Sequence, residues 1–188
     1  MNRLALDRIA CMRGGRILFE GLSLDLNEGA GALVTGPNGT GKSSLLRIAA
    51  GLLTPAAGSV VRDGDAALMA EAAGLDPERP LREALGWWAR IDGRRDAIEA
   101  AMADVGIADL ADIPVRLLST GQRRRAQIAR TIAGGAPIWL LDEPANGLDA
   151  ASVGLLEQLI ARHRAGGGIV IVATHQPLGL DGAVEVTL

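Results

Sequence analysis

Apolar and polar positions alternate along residues 4–10 (LALDRIA) and again along 22–26 (LSLDL). That is the period of a strand with one buried face, and "RGG" and "EG" nearby supply turn signals. Residues 31–36 (GALVTG) are a short apolar run entering a glycine-rich loop. Residues 43–53 then predict a helix with Leu45, Leu46, Ile48 and Ala49 on its buried side. Residues 58–70 predict one or two short strands about the Asp63-Gly64 turn. A helical pattern returns from Pro80 to Ala111, broken near Asp92-Gly93, and again over 121–135, where two glycines stop it. Two runs, 137–144 (PIWLLDEP) and 169–175 (IVIVATH), are apolar without alternation, as strands buried on both faces are. Between them 150–168 predicts a helix, and 183–188 a short terminal strand.

Strands alternating with helices predict an α/β domain with a mostly parallel sheet. The early antiparallel strands and the 80–130 helical block are additions to it. A length of 188 residues fits one domain with a real core. Aromatic residues are only 2% (Phe19, Trp87, Trp88, Trp139), so that core must be aliphatic. The net charge of −3 gives no bulk attraction to nucleic acid or anionic lipid. A single cysteine, Cys11, excludes an intrachain disulfide, and two histidines, His163 and His175, make no zinc cluster. No run approaches the roughly 20 apolar residues of a membrane span, and the N-terminus has no signal-like apolar segment. These features predict a cytoplasmic protein whose membrane role needs a partner.

Residues 36–44 (GPNGTGKSS) contain the one lysine among 19 basic residues. They fit G-x-x-x-x-G-K-[ST], between a predicted strand and a predicted helix, which is the context the phosphate loop requires. The candidate nucleotide-binding residues are Gly36, Pro37, Asn38, Gly39, Thr40, Gly41, Lys42, Ser43 and Ser44. Glycines let successive backbone N–H groups converge on an anion, and the helix start adds its positive end. Lys42 is placed to reach the β- and γ-phosphates, and Ser43 to ligate Mg²⁺. Arginine is a planar fork, whereas lysine is a slim point charge. A fork inside a tight loop would displace backbone donors, which explains why this position alone keeps lysine.

Asp142 and Glu143 end the buried run 137–144. Ligands of parallel sheets sit at the carboxyl ends of strands, where the phosphate loop also lies. Asp142 can hold Mg²⁺, and Glu143 can polarise an attacking water as a general base.

Residues 117–130 (LLSTGQRRRAQIAR) resemble the signature motif of the ATP-binding cassette (ABC) ATPases, through Ser119, Thr120, Gly121 and Gln122. "NGLD" (146–149) resembles that family's D-loop, with Asp149, and "ATHQ" (173–176) its switch histidine, His175. The motifs occur in family order and cover essentially the whole chain. The resemblance implies an α/β P-loop ATPase of the ABC type using ATP and Mg²⁺. It implies one nucleotide-binding domain over 1–188, with a trimmed antiparallel β subdomain and a helical subdomain over roughly 78–133. It further implies a head-to-tail homodimer in the ATP-bound state. Ser119 and Gly121 of one protomer would then face the γ-phosphate held by Lys42 of the other. Glu143 and His175 would be catalytic, and Asp149 would couple the two sites. An integral membrane permease is the implied partner, and nucleic acid is not. "RRR" (123–125) is read as the start of the signature helix rather than a nucleic-acid patch.

The sequence departs from the family pattern in three places. Thr120 stands where glycine is usual. The aromatic residue that would stack on adenine falls at about Arg13, whose guanidinium plane can stack on a base. The linker glutamine is missing, and Glu71 is the best candidate for its place and an additional candidate for metal. Together "CMRGGRILFEGLSLDL", "IWLLDEPANGLD" and "THQPLGL" resemble the haem-exporter ATPases of bacterial cytochrome c maturation, which implies a peripheral subunit at the cytoplasmic face of the inner membrane. Other openings remain: an ABC ATPase for another cargo, a low-turnover ABC coupling module, or a small-molecule kinase sharing only the phosphate loop. Trp87 and Trp88 are the best candidates for partner contact; on a helix they point about 100° apart, so one can be core while the other is free.

Overall fold

A computed structural model gives the fold and describes residues 1–70 and 74–188. Glu71 lies outside the described residues.

The alternating segments become two long strands, β1 (Arg3–Arg13) and β2 (Arg16–Asn27), paired antiparallel. Their shared face carries Leu4, Leu6, Ile9, Leu24 and Leu26, all buried. β4 (Ala57–Asp63) pairs with the other edge of β1, giving a three-stranded sheet in the order β2-β1-β4. The second sheet has five strands in the order β5-β6-β7-β3-β8. These are β3 (Gly31–Thr35), β5 (Ala66–Met69), β6 (Ile138–Asp142), β7 (Ile169–Ala173) and β8 (Val184–Thr187), with every pairing parallel. The Asp63-Gly64 turn is thus a corner between sheets, with β4 on one side and β5 on the other. Every residue of β6 and of β7 is buried, as their unbroken apolar runs require.

α1 (Lys42–Ala49) buries Leu45, Leu46, Ile48 and Ala49, the face read from sequence. It stops short of the expected 53, because the chain turns at Gly51 with φ 75°. The 80–111 block resolves into α2 (Leu81–Ile91) and α3 (Ile98–Asp104), separated by a turn at Gly93 with φ 70°. Both pack on α4 (Thr120–Gly134). Their aliphatic core (Leu81, Leu85, Met102, Ile128) runs on into Leu141, Val170 and Val172 of the sheet. α5 (Ala150–Ala165) connects β6 to β7. Each fully buried leucine or isoleucine, such as Leu4, Leu26, Leu45, Ile138 and Ile171, contributes about 1.5–3 kcal/mol, and Phe19 and Trp139 are the only aromatics buried with them among the described residues.

The tryptophans divide as their helical spacing allows. Trp88 donates its indole N–H to Gly74 O at 2.8 Å, and the Arg130 guanidinium lies 3.4 Å from its ring centroid. Trp87 remains 50% exposed.

At the end of the sheet opposite the phosphate loop, Trp139 and His163 stack with centroids 3.8 Å apart and planes at 10°. His163 Nε2 lies 3.1 Å from Pro137 O. Burial lowers the His163 pKa from its ordinary 6.5, and its backbone hydrogen bonds only partly oppose this. The folded protein therefore binds this proton less readily than the unfolded chain does. The stability tied to neutral His163 is present above 6.5 and is lost as pH falls through 6.5 toward the depressed folded value. Thermal melts of wild type and His163→Gln should accordingly converge as pH drops from about 7.5 to about 5. A constant gap across that range would contradict this.

Candidate nucleotide site

The phosphate loop leaves β3, the strand between β7 and β8, and turns into α1 at Gly41. Gly41 holds φ 111°, and a Cβ there would stand 3.0 Å from the Phe19 ring. Glycine is therefore needed both for the backbone and for the close approach of β2. Lys42 is 6% exposed, and its ammonium donates to Gly36 O at 2.7 Å and Pro37 O at 3.1 Å. Thr40 Oγ1 donates to Pro37 O at 3.0 Å, closing the loop on itself. By helix geometry, the first N–H groups of α1 have no acceptor within the helix and are open to an anion.

Asp142 ends β6 beside Ala173 of β7, and the chain then bends at Glu143. Glu143 has φ 49° although it carries a side chain and precedes a proline, both of which oppose a left-handed backbone. Such a residue costs on the order of 1–3 kcal/mol, so the surrounding structure must impose it. Here Glu143 N–H donates to Ala173 O at 2.8 Å. The bend turns the carboxylate toward the loop after β7, where Glu143 Oε2 lies 2.9 Å from His175 Nδ1 and 3.3 Å from the His175 backbone N–H.

These parts share one cavity of about 420 Å³. It is lined by Leu18, Asn38, Gly39, Gly41, Lys42, Ser43, Ser44, Asp142, Glu143, Asn146 and His175. Gly36 and Pro37 instead shape the loop through their carbonyls. Arg13 is not among the lining residues: it sits at the tip of the β1–β2 hairpin, opposite Arg16. The hairpin instead brings Leu18 to the cavity, an apolar wall where stacking had been expected. Sequence reasoning missed Leu18 and Asn146, and only the folding back of β2 and the turn after β6 reveal them.

The donor set fits Mg²⁺. Among the described residues no group of three His, Cys, Asp or Glu side chains gathers to cage a metal. Hydroxyls (Ser43, Ser44) and two carboxylates (Asp142, Glu143) line the cavity, and Mg²⁺ ordinarily takes one or two carboxylates plus water and substrate phosphates.

The signature residues lie outside this cavity. Ser119 caps α4, with its hydroxyl accepting from Gln122 N–H at 3.2 Å while Gln122 Oε1 accepts from Ser119 N–H at 2.8 Å. This capping box gives Gln122 a structural task and leaves the N–H groups of Thr120 and Gly121 without helical acceptors. Thr120 packs on the turn after β6: a Cβ on Gly147 would meet Thr120 Cγ2 at 3.0 Å. Asp149 caps α5, accepting from Ser152 N–H at 2.8 Å. Hydrogen bonds from Ser152 hold its carboxyl below the usual carboxylate range. In the "RRR" run only Arg123 is exposed. Arg124 is buried, with Nε donating to Asn146 O, and Arg125 donates to Gly106 O at 3.0 Å.

The ABC transporter family model matches residues 19–146, which hold the phosphate loop, the signature and both acids. The chain belongs to the ABC transporter family. As an ABC ATPase it binds and hydrolyses ATP. It is 57% identical over 186 residues to the "Cytochrome c biogenesis ATP-binding export protein CcmA" of Sphingopyxis alaskensis, covering 98% of this chain and 96% of that protein. The protein of the same name from Zymomonas mobilis is 52% identical, covering 99% and 83%. An ABC transporter ATP-binding protein of Pyrococcus furiosus shares the fold, with TM-score 0.86 at 23% identity over 99% of this chain and 97% of that one. The inward-facing structure of a metal-chelate type ABC transporter matches with TM-score 0.80 at 25% identity, covering 94% of this chain and 74% of that one. Among the described residues no helix is long and apolar enough to cross a membrane.

Proposed function

We propose that this ABC protein is the ATP-hydrolysing subunit of a haem exporter serving cytochrome c biogenesis. It works as an ATP-bound homodimer on an integral membrane permease, at the cytoplasmic face of the bacterial inner membrane. One observation carries the reading. A single cavity gathers Lys42, Ser43, Asp142, Glu143 and His175, in a chain 57% identical to an ATP-binding export protein of cytochrome c biogenesis.

In this reading the phosphates of ATP lie along the N–H groups of 36–44, and Lys42 exchanges its two carbonyl acceptors for phosphate oxygens. Ser43 and Asp142 hold Mg²⁺, which neutralises charge on the phosphates when bound. Glu143 takes the proton of the attacking water. His175, held against Glu143 Oε2, fixes that carboxylate and faces the γ-phosphate. A second protomer's Ser119, Thr120, Gly121 and Gln122 would complete the cavity, with Asp149 at the same dimer surface. The free N–H groups at the start of α4 suit that task.

The permease contact is assigned to the groove of about 760 Å³ between the end of α1, β5, α2 and α4. It is bordered by Leu52 and Ile91, which are 70% and 61% exposed, and Trp87 stands exposed on the same helix as Ile91. Exposed large apolar side chains around a concavity suit a protein partner.

The test joins two measurements: Mg²⁺-dependent ATP turnover of the purified protein, and capture of its partners from native membranes. The reading predicts turnover, co-purification of a polytopic membrane protein, and haem in that complex. A monomer that transfers phosphate to a metabolite would overturn it, and a complex free of haem would overturn the cargo.

A further inference from the structure

The phosphate loop starts at Gly36, where β3 ends, and the two strands beside β3 do not support it equally. The register of β7 with β3 stops at Val34, opposite Ala173, and Thr174 N–H closes that side by donating to Val34 O at 3.0 Å. β8 runs one residue further, with Thr187 opposite Thr35 and their hydroxyls 3.4 Å apart. The next residue, Leu188, donates its N–H to Thr35 O at 3.0 Å. Its carbonyl fills the space beside the first glycine of the loop: a Cβ on Gly36 would fall on Leu188 O. The Leu188 side chain is partly buried against the core cluster that holds Val34 and Leu45. Gly36 is therefore held between the Leu188 backbone and the Lys42 ammonium, which donates to the Gly36 carbonyl.

We infer that Leu188 is a positioning residue for nucleotide binding, whose backbone braces the entry of the phosphate loop. The inference rests on the reading that the phosphates lie along 36–44. Anion recognition there depends on backbone N–H groups that are aimed before the ligand arrives. Thr40 bonded to Pro37 O, and Gly41 against the Phe19 ring, secure the later part of the loop. The entry has Lys42 and Leu188. When Lys42 turns to phosphate, Gly36 O loses the ammonium, and the brace from Leu188 stays in place. Glu143 and His175 follow β6 and β7, on the other side of β3 from β8. A loosened entry should therefore act on affinity rather than on the hydrolytic step.

The test uses equilibrium ATP titration and steady-state hydrolysis by the full chain, with melting temperature as a fold check. Leu188→Pro removes the N–H donor. It should weaken ATP binding about tenfold, as the loss of one hydrogen bond can, and leave kcat at saturating ATP within about twofold. The conservative variant Leu188→Ala keeps both backbone contacts and should restore wild-type affinity to within about twofold, even where the lost side chain lowers the melting temperature. That split separates a brace from packing alone. A chain cut after Thr187 loses the N–H and the carbonyl without the constraint of a proline ring and should match Leu188→Pro. If the proline variant fails to fold, the cut chain and Leu188→Ala decide alone. Wild-type affinity in both the proline variant and the cut chain would overturn the inference, as would an equal loss in Leu188→Ala. Unchanged ATP affinity in Lys42→Ala would instead overturn the placement of the phosphates beneath it.

Discussion

Glu143→Gln should bind ATP as the wild type does and almost cease to hydrolyse it. The substitution keeps the shape of a side chain already held 2.9 Å from His175 Nδ1, so the cavity should survive. It removes the group that can accept a proton from water, a loss worth about 10²–10⁴-fold in rate. It also removes one negative charge from beside the phosphates, which favours ATP retention. Phosphate release and nucleotide titration, run on the same preparation, read the two effects separately. Turnover at the normal rate would show that Glu143 is not the base.

Lys42→Arg should weaken ATP binding although the charge is kept. Lys42 is 6% exposed, and its ammonium already sits within hydrogen-bond distance of two carbonyls of its own loop. A guanidinium carries donors over a wider plane and cannot occupy that space without opening the loop. Losing well-placed charge-assisted hydrogen bonds, worth about 1.5–3 kcal/mol, corresponds to about 10- to 100-fold in affinity. Equilibrium ATP binding checks this. Unchanged affinity would end the steric account of why the chain keeps one lysine.

The phosphate loop and the strands behind it were legible because their constraints are local. Gly41 must accept both a left-handed backbone and the Phe19 ring, and β6 and β7 must be apolar on both faces. Helical geometry set Trp87 and Trp88 about 100° apart but left open whether both pack inside; the structure leaves Trp87 50% exposed and bonds Trp88 to Gly74 O. Long-range contacts were not legible. Counting back from Lys42 led to Arg13, but the hairpin returns along β2 and delivers Leu18 to the cavity instead. β5 carries only four residues, too few for a period to say that it joins the parallel sheet beside β6. Gln122 reads as part of a ligand-facing motif, yet its side chain closes a capping box. The bond from Gln176 Nε2 to Asn146 Oδ1 spans 30 residues of sequence and follows from no pattern along it.

The proposed composite site makes a demand that one chain cannot meet alone. Ser119 and the free N–H groups after it lie outside the cavity that holds Lys42, and the proposed function assigns them to a second copy. Sedimentation of Glu143→Gln with and without saturating ATP tests this most directly. The account predicts a 19.4 kDa monomer without nucleotide and a particle of twice that mass with ATP. A particle that stays at the monomer mass with ATP bound would contradict it.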